Sequence, residues 1–90
     1  MTTLTLALKA EYFDAIASGR KTEEYRLAKP YWQKRLEGVP FRHIVLTKGY
    51  PPRRDLSRRM FRPWRGYIRK TITHPHFGPD PVEVFAIRVN

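Results

Sequence analysis

The chain has 90 residues, enough to bury one modest hydrophobic core and too few for two, so a single domain over residues 1–90 is expected. It holds no cysteine, which excludes disulfides and thiolate zinc sites, and its 41% hydrophobic and 13% aromatic content excludes a disordered polyelectrolyte. The formal net charge is +10, from 18 Lys and Arg against 8 Asp and Glu, a balance that suits polyanionic partners.

In chain order, Met1 to Leu4 lacks the basic and apolar stretches of a secretory leader. No apolar run approaches the roughly 20 residues that cross a bilayer, so no membrane partner is expected and the cytoplasm is the expected setting. Thr3 to Leu8 alternates, with Leu4, Leu6 and Leu8 on one face, the pattern of a half-buried strand. Lys9 to Ser18 changes to helical spacing through Tyr12, Phe13 and Ile16, and Gly19 follows where a left-handed C-terminal residue is wanted.

Thr22 to Leu27 alternates again, placing Thr22, Glu24 and Arg26 on one side and Glu23, Tyr25 and Leu27 on the other. Pro30 opens a short helix over Tyr31 to Leu36, which Gly38 and Pro40 stop. His43 to Lys48 predicts a third strand, and Gly49-Tyr50-Pro51-Pro52 a turn. Asp55 is placed to cap one helical turn through Leu56 and Met60.

Trp64 to Thr73 predicts a long fourth strand, with Ile68 and Ile72 on one face and an exposed basic and aromatic face of Tyr67, Arg69 and Thr71 on the other. His74 to Pro81, with three prolines and Gly78, is a loop, and Val82 to Val89 is the fifth strand. These elements predict an α+β domain: a small mixed five-strand β-barrel, closed or half-closed, with one or two short helices packed on it.

The segment Gly19-Arg20-Lys21-Thr22-Glu23-Glu24-Tyr25-Arg26 carries the most chemistry. Gly19 turns the chain out of the helix and delivers Lys21 at the mouth of the second strand, while Glu24 and Arg26 share one strand face. The three side chains would then line one cleft, Lys21 and Arg26 clamping an anion and Glu24 fixing them or accepting a base N–H. The plainer alternative is a surface ion-pair ladder, worth about 0 to 1 kcal/mol per pair.

The same eight residues match Gly-x-Lys-x-x-Glu-x-Arg, and in this the chain resembles the ASCH family. The helix at Tyr12-Phe13-Asp14-Ala15-Ile16, the pair Tyr31-Trp32 and the strand ending in Gly49-Tyr50 extend the resemblance over most of the chain. The resemblance implies a PUA-like barrel and a role in RNA-linked or nucleotide-linked processes. One branch of that family removes the acetyl group from N4-acetylcytidine with a lysine, a threonine three residues later and a distant glutamate.

Lys21 matches the lysine, but Glu24 stands at the threonine position and the segment that carries the distant glutamate is missing. A nucleophilic lysine must lose its proton, and a neighbouring carboxylate favours the charged form. An RNA- or nucleotide-binding module is therefore favoured over a small amidohydrolase or ribonuclease, in which Lys21 and Glu24 would be the catalytic candidates. A basic adaptor for an acidic protein is the third class that the charge allows.

Between Arg53 and Lys70 eight basic residues stand against one acid, Asp55. Arg58, Arg59, Phe61, Arg62, Trp64 and Tyr67 interleave cations with aromatics, as in platforms where bases stack and cations hold phosphates; the plainer alternative is that Phe61 and Trp64 serve the core and the arginines solvate the surface. His74, His76, Asp80 and Glu83 match no metal-site spacing and suggest a proline-fixed loop, so no metal is expected. No phosphate-cradling glycine loop and no Ser-His-Asp order is present, and no cofactor is expected.

Overall fold

A computed structural model describes residues 2–90; Met1, part of the stretch read above as leaderless, lies outside them. Among the described residues two strand–helix units are followed by four strands: β1 (Thr3–Leu8), α1 (Ala10–Ala17), β2 (Glu23–Leu27), α2 (Pro30–Leu36), β3 (His43–Lys48), β4 (Arg59–Pro63), β5 (Tyr67–Ile72) and β6 (Val82–Arg88). Single 3-10 turns occupy Leu56–Arg58 and Pro75–Phe77.

The expected five-strand barrel is not formed. The strands make two three-stranded sheets, β1-β3-β4 and β2-β6-β5, and among the described residues no strand of one sheet pairs with a strand of the other. Two local features account for the sixth strand. Only a 3-10 turn forms after Asp55, whose side chain does not cap it, and the chain is extended from Arg59. Pro63 ends β4, Gly66 at φ +83° turns the chain, and the stretch from Trp64 expected as one strand begins its pairing only at Tyr67.

The first sheet is mixed, with β1 parallel to β3 and β4 antiparallel to it. The second is antiparallel throughout, and its centre is β6. Leu4, Leu6, Leu8, Ile44 and Leu46 face Phe85, Ile87 and Val89 across the core, which Phe13 and Ile16 of α1 and Leu36 of α2 complete.

Register decides which face of each strand turns inward. Glu24 lies opposite Ile87 and Arg26 opposite Phe85, so the charged face of β2 points toward the space between the sheets. On β5 the basic and aromatic face expected at the surface also turns inward: Tyr67 packs edge-to-face on Phe85 at 5.0 Å, and the Arg69 guanidinium lies 5.4 Å from that ring. Ile68, expected inside, is 58% exposed.

On the opposite face of the second sheet, Glu23 accepts hydrogen bonds from Lys70 Nζ at 2.8 Å and Tyr25 Oη at 3.2 Å. The Lys70 bond chiefly holds the Glu23 carboxyl below its ordinary range, and the same bond raises Lys70. A lowered carboxylate stabilises the fold above its unfolded pKa and ceases to as pH falls through the folded value; a raised ammonium stabilises below its unfolded pKa and ceases to as pH rises through its own. Glu23→Gln is expected to lower the thermal midpoint by a few degrees at pH 7 and to flatten both the acid and the alkaline limb, measured by thermal melts between pH 3 and pH 11, about the range that covers both groups.

Candidate functional site

Helix α1 ends in a way that sets the site. Ser18 N–H donates to Asp14 O, Gly19 N–H at φ +84° donates to Ile16 O, and Lys21 N–H folds back onto Ala15 O at 3.0 Å. That return sets Lys21 two residues before β2 with its Nζ near Glu24, while Arg20 is drawn away, its Nε donating to Ser18 Oγ.

Glu24, 5% exposed, is the centre of the site. Lys21 Nζ lies 3.5 Å from its Oε1, and Arg26 Nη1 is bonded to its Oε2. Arg26 is held further by Tyr25 O at 2.9 Å and by Ala7 O on the edge of β1 at 3.1 Å, so one guanidinium ties the two sheets together. A carboxylate at this depth needs such partners, because an ion removed from water without them costs several kcal/mol, roughly.

Aromatic rings wall the cleft. Lys21 Nζ sits 4.6 Å from the Tyr25 ring centre and 5.3 Å from that of Tyr12, and Arg26 lies 5.4 Å from Trp32, distances at which a cation is attracted by the ring face. Helix α2, opened by Pro30, presents Trp32 and the exposed Tyr31 edge-to-face at 5.2 Å. On the other lip, His74 and His76 meet Tyr12 at 6.0 and 6.1 Å. The His76 N–H donates to His74 Nδ1, which leaves Nε2 as the donor of that ring.

The resulting cleft encloses about 460 Å³ between β1, the start of α1, β2, α2 and the His74 to Phe77 turn. This lies within the roughly 300 to 1,000 Å³ of small-molecule sites, and its few polar groups among apolar walls are the usual composition of such sites. Burial raises the Tyr12 and Tyr25 hydroxyls above their ordinary range, with nearby carboxylates, Glu11 and Glu24 for Tyr12 and hydrogen-bonded Glu23 for Tyr25, adding to it. Both phenols are therefore neutral donors across the physiological range. The three charges at the centre sum to a single positive charge, so the cleft offers flat walls, one buried acceptor and two cations.

Lys21, Glu24 and Arg26 are thus together in one cleft, and the arginine-rich stretch is elsewhere. Arg58 is exposed and pairs with Asp55 at 3.4 Å, while Arg59 donates to the carbonyls of Pro51 and Pro52. Arg62 lies against Met60 Sδ, and its Nε is buried with no hydrogen-bond partner among the described residues. Trp64 packs on Phe41 at 5.1 Å and Tyr67 on Phe85, both partly buried against the core. The His74 to Pro81 segment, expected to be a proline-fixed loop, contributes three rings to the cleft, His74, His76 and Phe77, and Glu83 pairs with Arg69.

Sequence reasoning missed Tyr12, Tyr25, Trp32, His74, His76 and Phe77 as cleft walls. Tyr12 was marked by its helical spacing with Phe13 and Ile16, and that spacing does not distinguish a core ring from one at the core's open margin. No family model, no curated protein and no solved structure matches the chain.

Proposed function

We propose that the protein is an RNA- or nucleotide-binding module of ASCH type, working in a cytoplasmic setting, and that the cleft takes a nucleobase. The observation that carries this is the convergence of Lys21, Glu24 and Arg26 inside an aromatic-walled cleft of nucleoside size. A flat heteroaromatic ring would lie against Tyr25, Tyr12 or Trp32, offer an N–H to the Glu24 carboxylate, and leave its sugar and phosphate toward Lys9 and Lys29, the exposed lysines that also line the cleft. The Gly-x-Lys-x-x-Glu-x-Arg resemblance points the same way.

Binding is favoured over catalysis because Lys21 faces a carboxylate and two ring faces, partners that suit an ammonium rather than a free amine. Lys21→Ala is expected to weaken mononucleotide binding about tenfold, the loss of one hydrogen bond to a charged group, and Glu24→Gln to change base preference more than affinity. Isothermal titration with the four ribonucleoside monophosphates measures both. Parallel incubation with N4-acetylcytidine and with labelled single-stranded RNA follows acetate release and strand cleavage; turnover that disappears in Lys21→Ala overturns the binding module in favour of an enzyme.

A further inference from the structure

The outer face of the first sheet is bare, and its chemistry differs from that of the second. Register sets Thr3, His43 and Pro63 side by side in one row and Thr5, Val45 and Phe61 in the next. All but Val45 are exposed, and Phe61 is 63% exposed in the centre of a strand face, where an aromatic ring normally finds cover. A shallow depression of about 440 Å³ surrounds Phe61 and His43. The third row, Thr47 and Arg59, lies under the Gly49 to Pro52 turn: Thr47 Oγ1 donates to Gly49 O and Arg59 to Pro51 O.

Charge says what would cover this face. The three strands of the first sheet contain no Asp or Glu, whereas the second carries Glu23, Glu24 and Glu83. Among the described residues, six of the eight acids are engaged by Lys21, Arg26, Lys48, Arg58, Arg69 and Lys70. Among the described residues Arg42, Arg59, Arg62 and Arg65, on or next to the strands of the first sheet, and Arg53 and Arg54 in the loop before β4, pair with no Asp or Glu side chain. An exposed ring on a face that is free of acids and bordered by guanidinium groups not neutralised by Asp or Glu suits a polyanion with stackable rings.

The two sites share a strand. Ala7 of β1 lines the cleft and holds Arg26, and Thr3 and Thr5 of the same strand lie on the bare face, about 13 Å away at most at strand rise. We infer that the bare face around Phe61 is a second stacking subsite for single-stranded RNA, occupied by a nucleotide of the same strand whose other base sits in the cleft. This inference rests on the nucleotide reading of the cleft and extends it: the ligand is a polymer that crosses β1, since a nucleoside fills the cleft alone.

The test measures fluorescence anisotropy of a labelled single-stranded RNA ten-mer of mixed sequence, about the length that spans both sites, together with calorimetry of nucleoside monophosphates. Phe61→Ala is expected to weaken the ten-mer roughly tenfold to hundredfold and to leave the monophosphates unchanged. Thr5→Glu, which places an acid on the face at an exposed position, is expected to weaken the ten-mer likewise. Circular dichroism of both variants checks that the fold is retained.

Ten-mer binding that is unchanged in both variants but weakened by Lys21→Ala overturns the subsite and leaves the cleft. Absence of any monophosphate or RNA binding by the unsubstituted protein overturns both. A concentration-dependent dimer that Phe61→Ala dissolves, with RNA binding intact, assigns the face to a second copy of the chain and overturns the subsite.

Discussion

Raising monovalent salt from about 50 to about 200 mM is expected to weaken single-stranded RNA binding roughly a hundredfold. Of the eight cations between Arg53 and Lys70, Arg58, Arg69 and Lys70 are held by Asp55, by Glu37 and Glu83, and by Glu23. The other five, Arg53, Arg54, Arg59, Arg62 and Arg65, have no Asp or Glu partner among the described residues and are the expected phosphate contacts. Each phosphate neutralised on a single strand contributes about −0.7 to the slope of log K against log salt, so five give a slope of roughly −3.5. Anisotropy titrations at four or more salt concentrations measure the slope; a value near zero removes phosphate contacts as the source of affinity and with them the role of the arginine-rich edge.

Arg26→Ala is expected to destabilise the fold by about 3 kcal/mol, lowering the thermal midpoint by on the order of 10 °C. The magnitude follows from depth. An ion pair at the surface contributes about 1 kcal/mol or less, but Glu24 is 5% exposed, and removing its closest partner leaves a carboxylate where water reaches poorly. Lys21 at 3.5 Å relieves part of the loss, and the bond from Arg26 to Ala7 O is lost as well. The double variant Glu24→Gln with Arg26→Ala is expected to recover at least half of the stability, since no buried charge is then unpaired. Urea denaturation measures both; a single-variant cost below about 1 kcal/mol would show that the cleft is as wet as a surface ladder.

Local pattern made much of the fold legible. The alternation of Leu4, Leu6 and Leu8 and the apolar run Ile44, Val45, Leu46 give strands with the observed bounds, Thr3–Leu8 and His43–Lys48. Both helices, anchored by Gly19 behind one and Pro30 at the start of the other, fall within one residue of expectation. The barrel was the failure. Which strands pair is decided by contacts between distant segments, and period-two patterning is silent on it.

The same limit explains β5: alternation divides Tyr67 and Arg69 from Ile68, yet only the pairing with Phe85 and Ile87 selects the inward side. At the site, spacing was enough to bring Lys21, Glu24 and Arg26 to one face, because a turn followed by a strand fixes it locally. The aromatic walls come from α1, α2 and the His74 turn, and no sequence interval relates those segments to one another.

The order β2-β6-β5 bears on synthesis. Both outer strands of that sheet take their ladders from β6 alone, and β6 follows them in the chain. While the ribosome adds about 5 to 20 residues each second, the first sheet can close as soon as β4 emerges, but β2 must wait with two unsatisfied edges. During those seconds β2 has no ladder to hold Glu24 and Arg26, and the leucines on β1 and β3 lack the cover of Phe85, Ile87 and Val89. Until Val82 to Arg88 arrives the second sheet has no centre, and the open edges of β2 and β5 are the place where non-native pairing would compete with folding.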